Sequence, residues 1–130
     1  MKIKNEPPPN YKLIKKHFPN ADFYKGTVFT YGDTCYCKQM IPKDLIVHEE
    51  THTRQQKYPW LWWRKYIKDP RFRLSQELEA YTNQWNWIKK NVKDRNLRFR
   101  FREKILGDLT SKLYNNMISY SEAEKLFKRT

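Results

Sequence analysis

Prolines cut this chain into short pieces as far as residue 70 and then stop. Pro7, Pro8 and Pro9 stand in a row, Pro19, Pro42, Pro59 and Pro70 follow singly, and no proline comes after them. Proline fixes φ and has no N–H, so helix interiors and central strands exclude it while a helix's first turn tolerates it. The triple makes residues 1–10 an extended arm rather than a packed element. Residues 11–18 fit a short helix stopped by Pro19, with His17 among lysines at the surface. Two β-rich runs, 27–31 and 34–40, flank Gly32-Asp33 and read as a hairpin turning there. Pro42 and Asp44 suit the start of a helix over 43–57, which Pro59 ends.

That helix carries the chemistry. Its apolar lead-in, Leu45-Ile46-Val47, runs into His48-Glu49-Glu50-Thr51-His52, an H-E-x-x-H string. Residues four apart on a helix stand one above the other, so His48 and His52 aim two imidazoles at one point with Glu49 beside it. Neutral imidazole nitrogens are favoured zinc ligands, and two from one turn leave room for a third ligand and a water. Glu49 is then placed to take a proton from that water, whose acidity the metal raises.

Residues 60–67 (WLWWRKYI) read as a short aromatic helix plugging the core; a membrane-interface anchor is the lesser reading. Asp69-Pro70 opens a helix over 71–91, where Leu74, Glu77, Leu78, Tyr81, Trp85 and Ile88 recur at helical spacing on one inward face. An ionised Glu77 on that face needs a partner, and a metal would provide one. Glu79 lies on the other side of the helix. From Lys93 the chain turns basic, with a helix expected over 95–113 and a last one over 122–128 opened by a Ser121–Glu124 capping box.

Glu77 follows His52 by 25 residues and stands in Glu77-Leu78-Glu79-Ala80. H-E-x-x-H followed by E-x-x-A resembles the gluzincin group of zinc metallopeptidases. More narrowly, residues 24–90, with HEETHTRQQ and then PRFRLSQELEAY, resemble the small stand-alone minimal gluzincins of bacteria and their phages. The resemblance implies an α+β, mostly helical zincin-like domain with a small hairpin or sheet ahead of the motif helix. It implies Zn2+ held by His48, His52 and Glu77, with Glu79 as the substitute third ligand, and Glu49 as the catalytic general base. The expected activity is peptide hydrolysis, the substrate lying as an added strand along a sheet edge beside the motif helix. Two features depart from the pattern. Many gluzincins place an Asp four residues after the ligand Glu, where this chain has Tyr81, so the support behind the histidine is either altered or supplied by another residue such as Asp44. No oxyanion-stabilising residue is singled out either, and Tyr31, Tyr36 and Tyr81 are the candidates.

At 130 residues the length suits one domain over 11–130, its core within 24–90 and a basic helical extension over 92–130. Five Trp, nine Tyr and seven Phe supply a core despite a mean hydropathy of −1.03, which excludes disorder throughout. No apolar run reaches the ~20 residues of a membrane span, and no signal peptide opens the chain, so a cytoplasmic location is expected. By the resemblance, a phage-encoded protein would act in the host cytoplasm or the virion. The net charge of +13, from 27 Lys and Arg against 14 Asp and Glu, invites a nucleic acid or other polyanion. Residues 89–104 would meet it, with Trp85, Trp87, Phe99 and Phe101 for stacking. The alternative function, favoured by the departure at Tyr81 and the small size, is an inactive zincin-fold module that docks a polyanion or assembly partner through its basic surface. Cys35 and Cys37 stand too close for a relaxed disulfide and are expected as reduced thiols.

Overall fold

The structure, a computed structural model, describes residues 1–111 and 117–129. Among these the chain is α+β: strands β1 (Lys2–Lys4), β2 (Phe29–Tyr31) and β3 (Thr34–Tyr36), and helices α1 (Tyr11–His17), α2 (Lys43–Gln55), α3 (Pro59–Lys68), α4 (Pro70–Asn91), α5 (Arg95–Leu109) and α6 (Tyr120–Leu126). The boundaries follow the prolines. Pro59 and Pro70 each sit in the first turn of a new helix, and the Asp69 carboxylate caps α4 by accepting the N–H groups of Arg71 and Phe72. Asp94 caps α5 in the same way.

The sheet runs β1-β3-β2, with β1 parallel and β2 antiparallel to β3. The hairpin turns where expected, with Gly32 at φ 64°, a left-handed conformation that glycine adopts without strain. β1 corrects the reading of residues 1–10 as an unpacked arm. Lys2 donates its N–H to Asp33 O at 2.7 Å and Cys37 donates to Lys4 O at 3.0 Å. Backbone hydrogen bonds make this pairing, with Lys2 Nζ 3.8 Å from the exposed Asp33 carboxylate, so a Lys-Ile-Lys segment with no buried side chain joins the sheet.

Among the described residues there are three apolar clusters: a small one sets Val28, Leu45 and Ile46 against Cys35, Cys37 and Ile41, and two larger ones hold the other helices. Trp62, Trp63 and Tyr66 of α3 pack with Ile14, Phe23, Phe29 and Tyr36, which bears out the aromatic plug, while Trp60 stays 62% exposed. The other large cluster joins Trp85 and Ile88 of α4 to Ile105, Leu106 and Leu109 of α5, and to Ile118, Ala123 and Phe127. The packed interior thus extends well past the 24–90 span of the resemblance. Arg102 reinforces this by donating to the carbonyls of Phe127 and Glu124, and the Trp85 indole N–H donates to Lys128 O. Cys35 and Cys37 are buried, free thiols. Burial, with Glu49 and Cys37 nearby, pushes the Cys35 pKa up and keeps that thiol protonated.

Two helix ends differ from expectation. α5 ends at Leu109, where the Thr110 hydroxyl donates to the carbonyls of Leu106 and Gly107; positions 112 and 113 of the expected helix lie outside the described residues. α6 starts two residues early, because the capping box is Ser119–Glu122 rather than Ser121–Glu124. Both pairs match S-x-x-E. Only the first puts buried residues at the staple positions, Ile118 before the cap and Ala123 in the first turn. No helix of the described residues is long and apolar enough to cross a membrane.

Candidate metal centre

α2 and α4 pack against each other, and three polar side chains meet between them. His48 and His52 come from α2 and Glu77 from α4, and all three are buried. His48 Nε2 lies 3.0 Å and His52 Nε2 2.9 Å from Glu77 Oε1, and the two Nε2 atoms are 3.2 Å apart. A tetrahedral ion bound at ~2.0–2.2 Å holds its ligand atoms about 3.3–3.6 Å apart, so these three atoms would have to spread by a few tenths of an ångström to take zinc.

The imidazoles are held so that both Nε2 lone pairs face inward. His48 Nδ1 lies 2.9 Å from Gln84 Oε1, and Gln84 Nε2 donates to Asp44 Oδ2 at 2.9 Å. His52 Nδ1 lies 2.8 Å from Gln55 Oε1, whose Nε2 donates to Gln76 O and Glu79 Oε1. Each glutamine's amide nitrogen faces acceptors, which fixes its oxygen toward the histidine. An amide oxygen can only accept, so each Nδ1 carries the proton. Two nitrogen lone pairs and a carboxylate oxygen then converge, and a cation is what such a donor set fits. Without a metal, a proton serves. Burial works against a charged His52, yet the Glu77 carboxylate and its hydrogen bond outweigh it and push the pKa up to about 9. Burial likewise opposes an ionised Glu77, but the His52 charge and hydrogen bonds from both histidines hold its pKa well below the usual carboxylate range.

No family model, no curated protein and no solved structure matches this chain. The reading of the site therefore rests on its donor set and surroundings. Glu49 stands beside the triad: its Oε1 accepts the Thr30 hydroxyl at 2.9 Å, and its Oε2 lies 3.9 Å from His48 Nε2. Glu79 is exposed and bonds Gln55, so it supports a histidine's partner and stays outside the triad. Asp44 does act behind His48, through Gln84. Sequence reasoning missed Gln84, although it lies seven residues after Glu77 and so shares its helix face. It also missed Tyr66, whose hydroxyl donates to Glu77 Oε2 at 2.5 Å. Tyr81 sets its ring edge-on to His48, centroids 4.4 Å apart, and donates to Asp108 Oδ2. Tyr31 and Tyr36 instead pack in the α3 cluster.

The triad opens on a cavity of ≈ 410 Å³, walled by β2, by the aromatic face of α3 and by Phe101, Lys104, Ile105 and Asp108 of α5. Of the four aromatics named for stacking, Phe101 lines this cavity and Trp85 is buried in the core. Phe99 remains 48% exposed, with the Arg129 guanidinium over its ring.

Gln84→Leu, close in shape and lacking both bonds, is expected to weaken zinc binding by about 10–100-fold, since it frees the His48 ring and strands the Asp44 carboxylate. Competition against a chromophoric chelator measures this. Unchanged affinity would mean that His48 is oriented without Gln84.

Proposed function

We propose that this chain is a zinc-dependent hydrolase of the minimal-gluzincin kind, cleaving peptide bonds. The observation that carries the reading is the pair of inward-facing Nε2 atoms on the Glu77 carboxylate, with Glu49 alongside. Zinc held by His48, His52 and Glu77 would polarise the scissile carbonyl and lower the pKa of water to ~7. The remaining work falls to the chain's own residues. The Thr30 hydroxyl ties down Glu49 Oε1, which leaves Oε2 turned toward the triad to accept the proton of the attacking water. The same carboxyl then returns that proton to the departing amine. Tyr66 holds Glu77 Oε2, so that Oε1 stays directed at the histidines.

A second reading, docking of a polyanion, draws on the first half of α5, where Arg95, Arg100 and Phe99 are exposed next to Lys93. It is compatible with hydrolysis. An inactive scaffold is favoured by the small size and by Tyr81 at an orienting position; against the second of these, Gln84, one turn further along α4, lies against His48 Nδ1.

Elemental analysis of protein purified without a chelating tag is expected to find about one zinc per chain. Stripping it with a chelator should abolish cleavage of a peptide library, and returning zinc should restore it. No uptake of offered zinc would sink the proposal.

A further inference from the structure

β3 is the middle strand, and its bonds alternate from side to side. Asp33 O and Cys37 N bond to β1, so the odd-numbered residues of β3 face that way, while Thr34 and Tyr36 face β2. Tyr31 pairs with Thr34 and Phe29 with Tyr36, which commits their peptide groups to the sheet. The peptide groups of Val28, Thr30 and Gly32 therefore point the other way, out along the edge that lines the cleft.

Part of that edge is already taken. The Gln56 side-chain amide donates from Nε2 to Thr30 O at 2.9 Å and accepts at Oε1 from Gly32 N–H at 2.7 Å. This is the pair of bonds that one residue of an added parallel strand would make across Tyr31. The Trp63 indole N–H fills the other side of the Thr30 carbonyl at 3.0 Å. On the near side of Thr30, its own N–H and the Val28 carbonyl make no bond among the described residues. They form a second window of the same kind, across Phe29.

Its position relative to the site follows from the packing. Val28 packs in the cluster that holds Leu45 and Ile46, Thr30 bonds Glu49, and Gly32 bonds Gln56. β2 and α2 thus run side by side in one direction. The open window lies toward the start of α2, the block lies past its end, and Glu49 sits between them.

We propose that the substrate is a peptide chain end: it pairs with β2 only across Phe29, and Gln56 with Trp63 stops it beyond Thr30, so only a short terminal stub fits past the reacting bond. This rests on the peptidase reading above and narrows it to removal of terminal residues.

The test offers zinc-loaded protein one synthetic peptide pool in four forms: free-ended, N-acetylated, C-amidated and doubly blocked, with products read by mass spectrometry. The expected result is trimming from one end of the free-ended pool, prevented by blocking that end, and no internal cuts in the doubly blocked pool. Gln56→Ala, which opens the edge, should raise internal cuts by about tenfold or more, the discrimination that one pocket contact supplies. Internal cutting of the doubly blocked pool by the wild type would overturn the proposal, and that comparison stands even if the variant does not fold. Silence in all four pools would count against the peptidase reading itself. The window is then judged by amide exchange in the wild type: adding the free-ended pool should slow exchange at the Thr30 N–H and leave the Gly32 N–H as it was. An unresponsive Thr30 N–H would show that no peptide docks there.

Discussion

Glu49→Gln is expected to cut peptide hydrolysis by about 10²–10⁴-fold while the protein keeps its zinc. The substitution is nearly isosteric, and the amide oxygen can still accept the Thr30 hydroxyl that holds Glu49 in place. What it loses is the ability to take a proton. Glu49 is not among the three atoms that converge between α2 and α4, so metal content should not follow activity down. Turnover and zinc stoichiometry measured on one preparation separate the possibilities. If both are unchanged, Glu49 is structural and the hydrolase reading fails; if both fall together, Glu49 belongs to the metal set.

Glu77→Ala should act on the metal itself. It removes the one oxygen that both imidazoles address, and zinc affinity should fall by more than the ~100-fold that loss of a ligand's hydrogen-bond partner costs. It should also change the pH dependence. In the metal-free wild type His52 holds a proton up to about pH 9, and zinc must displace it, so affinity should climb about tenfold per pH unit through neutral pH toward that value. Without Glu77 the principal group raising that pKa is gone and burial, which lowers it, prevails; the climb should vanish above the ordinary histidine range. Stability of the metal-free protein has the corresponding sign. The raised His52 contributes fully below its ordinary 6.5 and loses that contribution as pH rises through about 9. The lowered Glu77 contributes above its ordinary 4.5 and loses its share as pH falls through its depressed value. Zinc titrations and thermal melts of apo wild type and variant across pH 5–9 read the His52 effects, and melts carried below pH 4.5 read the loss of the Glu77 contribution.

The frame that carries the His48, His52 and Glu77 triad was legible in the sequence because its signals are local. Prolines bound α2, α3 and α4, the H-E-x-x-H spacing follows the helical repeat, and Glu77 betrays itself as a carboxylate on an apolar face. The supporting groups were less legible. Gln55, Gln84 and Tyr66 matter because of what lies opposite them, and neutral side chains at ordinary helix positions carry no spacing signature. The start of α6 shows the same limit, since two serines satisfied the capping pattern and the burial of Ile118 and Ala123 chose between them. β1 went unread because pairing through backbone groups leaves no mark on side chains. The placement of α5 along the cleft is likewise tertiary, and its basic residues gave no hint that Phe101 and Lys104 line the site.

The two outer strands of the sheet also bear on how the protein behaves in concentrated solution. An unpaired strand edge is a template on which another copy can stack, and strands of only three residues already shorten that template. Here one border, β1, carries exposed Lys2 and Lys4, whose like charges repel an identical strand. The other is plugged at Thr30 and Gly32 by the protein's own glutamine, leaving a gap too short for a second sheet to extend. The same plug that restricts what enters the cleft therefore also guards the molecule against fibrillar self-association.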